Sequence, residues 1–431
     1  MENSLPAPCA IQDAPHDASE DLPMGRRRFS KIAFLAIWGP GLIVMLADTD
    51  IGSLVTAAQS GAELGYKMIL PNLILIPILY VVQEMTIRLG IVTGKGHGAL
   101  IREYFGKWWG LLSAGTLFAT SIGALLTEFA GVAGVGEIFN ISPRITVPVA
   151  AAFLIGIALT GSYRRVERIG VALGLAELVF IPAVLMSHPN THEILTALSQ
   201  VSVHNHSYMI LLAANIGAVI MPWMIFYQQG AVIDKKLSVK QIRNERRDTA
   251  FGAFLTQLIA VAVVIVFAAT VGMHGVSSSL TTVGSLEHGL QPYLGATAAK
   301  IILATALTGG ALVAALVASL AGAWGLSEVF GWKHTLNEKP NKGNIRFYGV
   351  YTLIHVVGAF IVLANLDLVA LVINVEVMNA LLLPIVIGFL LLLEAKAIPA
   401  QYRMKGTYRV VVITLCLVVV GFGLYTIPTV I

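Results

Sequence analysis

Two aspartates lie inside an apolar stretch that is long enough to cross a membrane. Residues 37–61 read IWGPGLIVMLADTDIGSLVTAAQSG, with Asp48 and Asp50 near the middle and Gly52 just after them. A carboxylate at the centre of a bilayer costs about 2.5–3.5 kcal/mol even on insertion-based scales, so two of them oppose a continuous lipid-facing helix. We therefore predict a break at which both carboxylates face a polar cavity. Such carboxylate oxygens are ligands for hard divalent cations.

A second apolar stretch carries the marks of a broken helix. Residues 210–230 read ILLAANIGAVIMPWMIFYQQG, in which Met221 precedes Pro222. A proline inside a helix removes a backbone hydrogen bond and clashes with the preceding turn, although an ordinary kinked membrane helix would show the same feature. The thioether of Met221 favours later transition metals. Together the two stretches favour a divalent metal over an organic solute.

The bulk composition is that of an integral membrane protein. Of the 431 residues, 56% are hydrophobic and 12% are charged, with a mean hydropathy of +0.79. Soluble domains carry about 25% charged residues. We expect a polar tail over residues 1–30 and a transporter domain over residues 31–430, with eleven membrane-spanning helices. These spans, numbered in chain order, fall near residues 35–60, 67–92, 108–137, 145–162, 169–188, 207–231, 249–273, 296–330, 347–365, 368–394 and 409–429.

The connecting loops give the orientation. Most of the 28 Lys and Arg residues fall in the tail and in alternate loops, which the positive-inside rule places in the cytoplasm. The N-terminus is then cytoplasmic, and an odd number of spans places the C-terminus on the extracytoplasmic side of the cell membrane. The loops are too short to hold a catalytic domain, so we expect neither an enzyme nor a bound cofactor. Nothing in the charge pattern indicates nucleic acid. We expect a monomer whose partners are the lipid bilayer and the transported ion.

The positions of the two interruptions predict an internal repeat. They fall in spans one and six, which are five spans apart, and such a pairing is typical of inverted-repeat transporters with a binding site at the midplane. Repeat one would cover about residues 35–188 and repeat two about residues 207–394, with an extra helix over about residues 409–429. We therefore predict an all-α, 5+5 inverted-repeat fold of the type found in amino-acid and sodium symporters, with discontinuous helices one and six.

Both segments resemble the signatures of the Nramp family of divalent-metal transporters. The likeness is most specific in ADTDIGSLVTAAQSGAELGY at residues 47–66 and IGAVIMPWMIFYQQ at residues 216–229. In this register the family's Asp-Pro-Gly-Asn motif falls on residues 50–53. The resemblance implies that the metal ligands are Asp50, Ser53, Met221, Glu376 and the main-chain carbonyls of Ala47 and Ala218. Asp48 is an additional acid beside this set.

Departures from the family pattern concern the proton pathway. Trp223 and Gln228 stand where the family has histidines, and Leu125 replaces an aspartate, while Glu128 keeps an acid of span three. An arginine pair of span nine is missing. A proton relay needs a chain of titratable groups. We place Glu128, Trp223 and Gln228 in a vestibule or gating role and expect that proton coupling is lost.

Span ten gains an acidic residue, whereas the proton pathway loses titratable residues. The family's glutamine that closes over the metal falls on Glu376, which adds a carboxylate. Mg²⁺ is commonly held through a few carboxylates and retained waters. The pattern is similar to that of the Nramp-related magnesium transporters, and we expect uptake of Mg²⁺ and Mn²⁺ by alternating access. The alternatives are a proton-coupled Mn²⁺/Fe²⁺ symporter, an organic-cation or amino-acid carrier on the same fold, and a metal-binding sensor or channel subunit that does not transport.

Overall fold

The computed structural model describes residues 39–202, 204–272, 280, 282–364 and 368–430, with side chains for all of these except 368–370 and 425–430. All regular secondary structure among these residues is helical. The expected polar tail, residues 1–30, lies outside the described residues. Apart from the gaps between these ranges, the described residues run from Gly39, ahead of Asp48 and Asp50, to Val430, just past the last predicted span at residues 409–429.

Nine helices build the first half of the chain. Two of them, α7 and α8, are joined by a 3₁₀ helix over Leu175–Val179 and form one continuous helical segment. The helices are α1 (Pro40–Leu46), α2 (Ile51–Leu64), α3 (Ile69–Thr93), α4 (His97–Phe105), α5 (Lys107–Ile138), α6 (Pro143–Leu159), α7 (Tyr163–Gly174), α8 (Phe180–Met186) and α9 (Thr191–Ala197).

Eight helices build the second half. Three short helices lie in segments that were expected to be loops: α4, α9 and α13 (Val283–Leu294). Helix α12 (Ile242–Thr270) begins seven residues before the predicted start of span seven at residue 249. The helices are α10 (His206–Val219), α11 (Pro222–Asp234), α12 (Ile242–Thr270), α13 (Val283–Leu294), α14 (Ala296–Phe330), α15 (Ile345–Val362), α16 (Leu368–Lys396) and α17 (Gly406–Val430).

The first predicted break lies between α1 and α2. Residues 47–50 are not helical, and Asp50 has an extended backbone with its side chain accepting a hydrogen bond from the Ser53 main-chain N–H. Aspartate is a favoured N-cap residue because its carboxylate satisfies a free N–H of the first turn. The same residue that makes a continuous lipid-facing helix unfavourable therefore starts the second half of the broken one. The predicted interruption is confirmed.

The second predicted break lies between α10 and α11. Ile220 (φ −123°, ψ 76°) and Met221 (φ −84°, ψ 137°) leave the helical conformation, and Pro222 is the first residue of α11. Proline fits this first position because the N–H that it lacks would have no partner within the helix. Pro222 therefore starts a new helix and does not merely kink an old one, and this interruption is confirmed as well.

Within the described ranges, nine helical runs are long and apolar enough to cross a membrane, and Pro143–Leu159 is a shorter apolar helix. One of the nine, Ile51–Thr93, combines α2 and α3, which were predicted as parts of two spans. The protein is thus a multi-pass membrane protein, while the count of eleven spans and the orientation of the termini stay predictions.

Close packing against α12 fixes the two halves of the first broken helix. A Cβ atom at Gly61 would lie 3.0 Å from the Ala268 amide nitrogen, and one at Gly252 would lie 2.7 Å from the Met45 Cβ. Small residues at such contacts let membrane helices approach each other's backbone. Helix α12 consequently runs alongside both α1 and α2 and covers one side of the break.

Candidate metal-binding site

The carboxylate of Asp50 has one oxygen in use and one free. Its Oδ1 accepts the Ser53 N–H at 2.7 Å, which caps α2. Its Oδ2 is buried and has no hydrogen-bond partner among the described residues. A buried carboxylate oxygen without a partner carries a large desolvation penalty, which a cation would relieve. Asp50 is therefore held rigidly with one oxygen available for a ligand.

The Ser53 hydroxyl connects the two breaks. Its Oγ lies 2.5 Å from the Asp48 carbonyl oxygen and 3.2 Å from the Ala218 carbonyl oxygen, and it can donate its single proton to either. Ala218 is in the last turn of α10, and Ala47 is the C-cap residue directly after α1. Carbonyls at the ends of broken helices lack intrahelical partners and are available to cations. The structure thus brings Asp50, Ser53 and Ala218 together.

Glu376 of α16 reaches the same place over Gly52. A Cβ atom on Gly52 would collide with the Glu376 carboxylate and would lie 3.0 Å from Asp50 Oδ1. The other carboxylate oxygen of Glu376 accepts a hydrogen bond of 3.0 Å from the Asn379 amide. Glycine at position 52 therefore leaves the room in which the carboxylates of Asp50 and Glu376 approach each other.

Two further acids surround the first break. Glu128 of α5 accepts the Ile51 N–H at 3.2 Å and the Thr127 hydroxyl at 3.1 Å. Glu177, in the 3₁₀ turn between α7 and α8, accepts a hydrogen bond from the Thr49 hydroxyl. Free N–H groups at the start of a helix attract negative charge. Glu128 is thus positioned by the N-terminus of α2, directly after the Asp50 cap.

The second break contributes buried side chains of a different kind. Met221 is 1% exposed and occupies the extended position before α11. Trp223 is fully buried, and its indole N–H has no hydrogen-bond partner among the described residues. The Gln228 amide donates to the Thr249 hydroxyl of α12 at 3.1 Å. Polar atoms on this half-helix are thus held by neighbours or enclosed in the bundle.

The side chain of Asp48 has a different environment from that of Asp50. Its Oδ2 accepts the Thr256 hydroxyl of α12 at 3.2 Å, and it faces the amide of Gln257. Sequence reasoning missed both of these α12 residues. The signal was a polar Thr-Gln pair in the otherwise apolar run FLTQLIAVAVVIV of residues 254–266.

Among the described residues, His, Cys, Asp and Glu side chains alone do not form a metal site. In the described part of the chain, no three His, Cys, Asp or Glu side chains are grouped so that they could hold a metal ion. The ligand set implied by the sequence relies instead on Ser53, Met221 and two main-chain carbonyls in addition to acids. That set, with Asp48 as an additional member, stays a prediction.

Comparison with known proteins agrees with this architecture. The family model described as "Natural resistance-associated macrophage protein-like" (Nramp) matches residues 41–429. The divalent metal cation transporter MntH of Staphylococcus haemolyticus is 30% identical over 213 residues, which is 47% of this chain and 47% of that protein. MntH of Burkholderia ambifaria is 23% identical over 416 residues, which is 93% of this chain and 90% of that protein.

A solved structure shows the same fold. The manganese transporter of Eremococcus coleocola, in complex with an aromatic bis-isothiourea compound, superposes with a TM-score of 0.77 at 20% identity. The alignment covers 94% of this chain and 88% of that one. The predicted all-α inverted-repeat fold with discontinuous helices one and six is therefore confirmed.

Proposed function

The chain belongs to the Nramp family, and on that premise we propose that it transports divalent metal ions, taking up Mg²⁺ and Mn²⁺ by alternating access without proton coupling. The observation that carries this proposal is the meeting of the two breaks. The Ser53 hydroxyl joins α2 to the Ala218 carbonyl, and next to it lies the unpartnered Oδ2 of Asp50. Midplane sites of inverted-repeat transporters have this construction.

The acids around the first break support Mg²⁺ as a substrate. Glu376 approaches Asp50 over Gly52, and Glu128 lies at the start of α2. Mg²⁺ prefers oxygen ligands and is usually bound through one or two carboxylates with several waters retained. Met221 supports Mn²⁺ as the second substrate, because a thioether adds little for a hard ion and more for a transition metal.

The lack of proton coupling is supported by the substitutions on α11 and α5. Trp223 and Gln228 occupy the family's histidine positions and cannot titrate near neutral pH. Leu125 is fully buried where the family has an aspartate. Uptake does not need a proton, because two charges moving through 100 mV of inside-negative potential release about 4.6 kcal/mol.

The second candidate is a proton-coupled Mn²⁺/Fe²⁺ symporter. The observation in its favour is Glu128, a buried acid that accepts the N–H of Ile51, the first residue of α2 and the residue directly after the Asp50 cap. Such a carboxylate could exchange a proton as a metal binds. The two candidates differ in whether protons enter with the metal.

Uptake by the purified protein in proteoliposomes tests these candidates. Mn²⁺ and Mg²⁺ entry would be followed in parallel with a pH-sensitive dye inside the vesicles and an inside-negative potential. We expect both ions to enter with no acidification of the lumen. Acidification that scales with Mn²⁺ entry would favour the symporter, and stimulation by an amine in place of metal would favour an organic-cation carrier.

The Asp50→Ala variant tests the site itself. Removal of the carboxylate, and with it the available Oδ2, should reduce uptake of every divalent ion to the level of empty vesicles. Glu193→Ala, which removes an exposed acid on α9, is the matched control and should transport at the wild-type rate. Near-normal uptake by Asp50→Ala would contradict the proposed site.

A further inference from the structure

A small polar cavity lies beside the proposed metal site, on the side of α12. Its volume is about 10 Å³, which accommodates one particle the size of a water molecule. Helices α2, α3, α10 and α12 and the first break all contribute to its wall. The side chains that line it with polar atoms are Asp48, Thr49, Ser53, Asn72, Asn215, Thr256 and Gln257.

Three buried oxygen atoms at this cavity lack hydrogen-bond partners among the described residues. They are Oδ1 of Asp48, Oδ1 of Asn72 and Oε1 of Gln257. All three residues are 1% exposed. Buried acceptors without a partner are uncommon in folded proteins, and each one calls for an explanation. Three of them around one cavity indicate a ligand that all three can share.

The neighbours of Asn72 determine which of its side-chain atoms is left without a partner. The Asn72 amide group donates to the Met68 carbonyl at 2.9 Å and lies 3.5 Å from the Asn215 side-chain oxygen. Asn215 in turn donates to the Ser60 hydroxyl at 2.9 Å and to the Leu211 carbonyl at 2.7 Å. The N–H₂ groups of both asparagines are therefore occupied by protein acceptors. This arrangement fixes the oxygen of Asn72 as the atom left over.

A water molecule cannot satisfy this cavity by itself. It donates two hydrogen bonds, whereas three unpartnered acceptors are present and one of them belongs to a carboxylate. The ion pairs of the described residues include no Lys, Arg or His partner for Asp48. A cation satisfies all three oxygens and the negative charge together.

We propose that this cavity, lined by Asp48, Asn72 and Gln257, is a Na⁺ site adjacent to the divalent-metal site, and that the Asp48 side chain, counted above as an additional member of the predicted metal set, belongs to the Na⁺ site. Among the described residues, Asp48 is the only carboxylate that lines it, so the charge of a monovalent ion matches that of the lining. The oxygen ligands suit a hard cation, and the small volume favours Na⁺ over the larger K⁺. Broken transporter helices coordinate Na⁺ in this manner.

The Na⁺ site and the metal site share Ser53. Its hydroxyl faces the Asp48 carbonyl on one side and the Ala218 carbonyl on the other, and both Ser53 and Ala218 also line the cavity. An ion bound at Asp48 would therefore hold the first break against the second. The inference goes beyond the proposed transport of divalent metals and can fail independently of it.

Thermal unfolding of the full-length protein in detergent tests the inference without any transport assay. At constant ionic strength and without divalent metal, NaCl should raise the Tm of the wild-type protein saturably, by at least about 2 °C, because a ligand that binds only the folded state stabilises it. Chlorides of K⁺ and N-methyl-D-glucamine should have little effect. Equal responses to all three salts would overturn the proposal.

Two variants place the Na⁺ response at this cavity. Asp48→Asn should abolish it, and Gln257→Ala should raise the Na⁺ concentration for half of the shift about tenfold. Glu193→Gln, the exposed control, should respond like the wild type. A wild-type response in Asp48→Asn would overturn the proposal, and if that variant does not fold, an unchanged midpoint in Gln257→Ala would do so. Loss of Mn²⁺ uptake with the Na⁺ response intact would count only against the proposed function.

Discussion

At the scale of single residues, a hydroxyl replaces the amide that the family motif has at position 53. The Ser53 Oγ is close to two main-chain carbonyls, Asp48 at 2.5 Å and Ala218 at 3.2 Å, and can donate to only one of them at a time. The second carbonyl then keeps a lone pair for a cation or its hydration water. At the proposed metal site, serine therefore leaves one carbonyl available, and its shorter side chain leaves more room on the side of α2 than asparagine would.

Met221 is the residue that should separate Mn²⁺ from Mg²⁺. We expect Met221→Ala to weaken apparent Mn²⁺ affinity about tenfold, or roughly 1.4 kcal/mol, because the thioether is a soft ligand. Mg²⁺ affinity should change by less than about threefold, since Mg²⁺ prefers oxygen. Concentration dependence of uptake for both ions in the same vesicles measures the difference.

Met224→Ala provides the matched control for this prediction. Met224 is also fully buried, one turn further along α11 and away from the break. Its truncation should affect both ions alike, through packing only. Equal losses of Mn²⁺ and Mg²⁺ affinity in Met221→Ala would show that the sulfur does not discriminate between them.

At the scale of elements, the breaks themselves could be predicted from sequence. Aspartates in an apolar run and a mid-span proline both act locally, on the few residues that follow them. A polar cavity at the first break was expected, but the helices that form its wall at Asp48 could not be predicted in this way. That wall depends on α12 meeting the first break, and Thr256 lies 208 residues from Asp48 in the chain. Hydropathy marks α12 as a span and does not say which face meets which neighbour.

The contact between α10 and α16 holds Glu376 in place and gives a prediction for these elements. A Cβ atom on Gly217 would press on the Glu376 main-chain carbonyl and would lie 3.0 Å from the Ala380 amide nitrogen. Gly217→Ala should therefore destabilise the protein by about 1–3 kcal/mol, as overpacking of a close contact does. Thermal unfolding in detergent, together with Mn²⁺ uptake, measures the effect.

The control lies on the same α16 helix. A Cβ atom on Gly388 would have nothing within 4 Å, so Gly388→Ala should be neutral or stabilising by about 0.4–1 kcal/mol through helix propensity. If Gly217→Ala matched Gly388→Ala in both stability and uptake, the close approach of α10 and α16 would not be what positions Glu376.

At the scale of the whole molecule, a buried ion network joins the two predicted repeats. Arg88 of α3 contacts Glu84 at 2.9 Å and Glu394 of α16 at 2.8 Å. Glu84 also contacts Arg246 of α12 at 2.5 Å and the Tyr408 hydroxyl of α17 at 2.9 Å. The alternating access proposed above requires one part of the bundle to move against another. A network that spans four helices is therefore placed to hold one state of that movement.

A double-mutant cycle on Arg88 and Glu84 tests whether this network acts as a unit. Arg88→Gln should cost about 3–5 kcal/mol of stability, because it leaves buried carboxylates without their cation. In the double variant Arg88→Gln/Glu84→Gln, the loss should fall short of the sum by about 1–3 kcal/mol, since the stranded charge is removed as well. Thermal unfolding in detergent gives both values.

The exposed pair of Lys95 and Glu103, 2.7 Å apart, is the control: Lys95→Gln should cost less than about 1 kcal/mol. Additive losses at Arg88 and Glu84 would mean that the contacts act separately, and the network could not then hold the two repeats in one state.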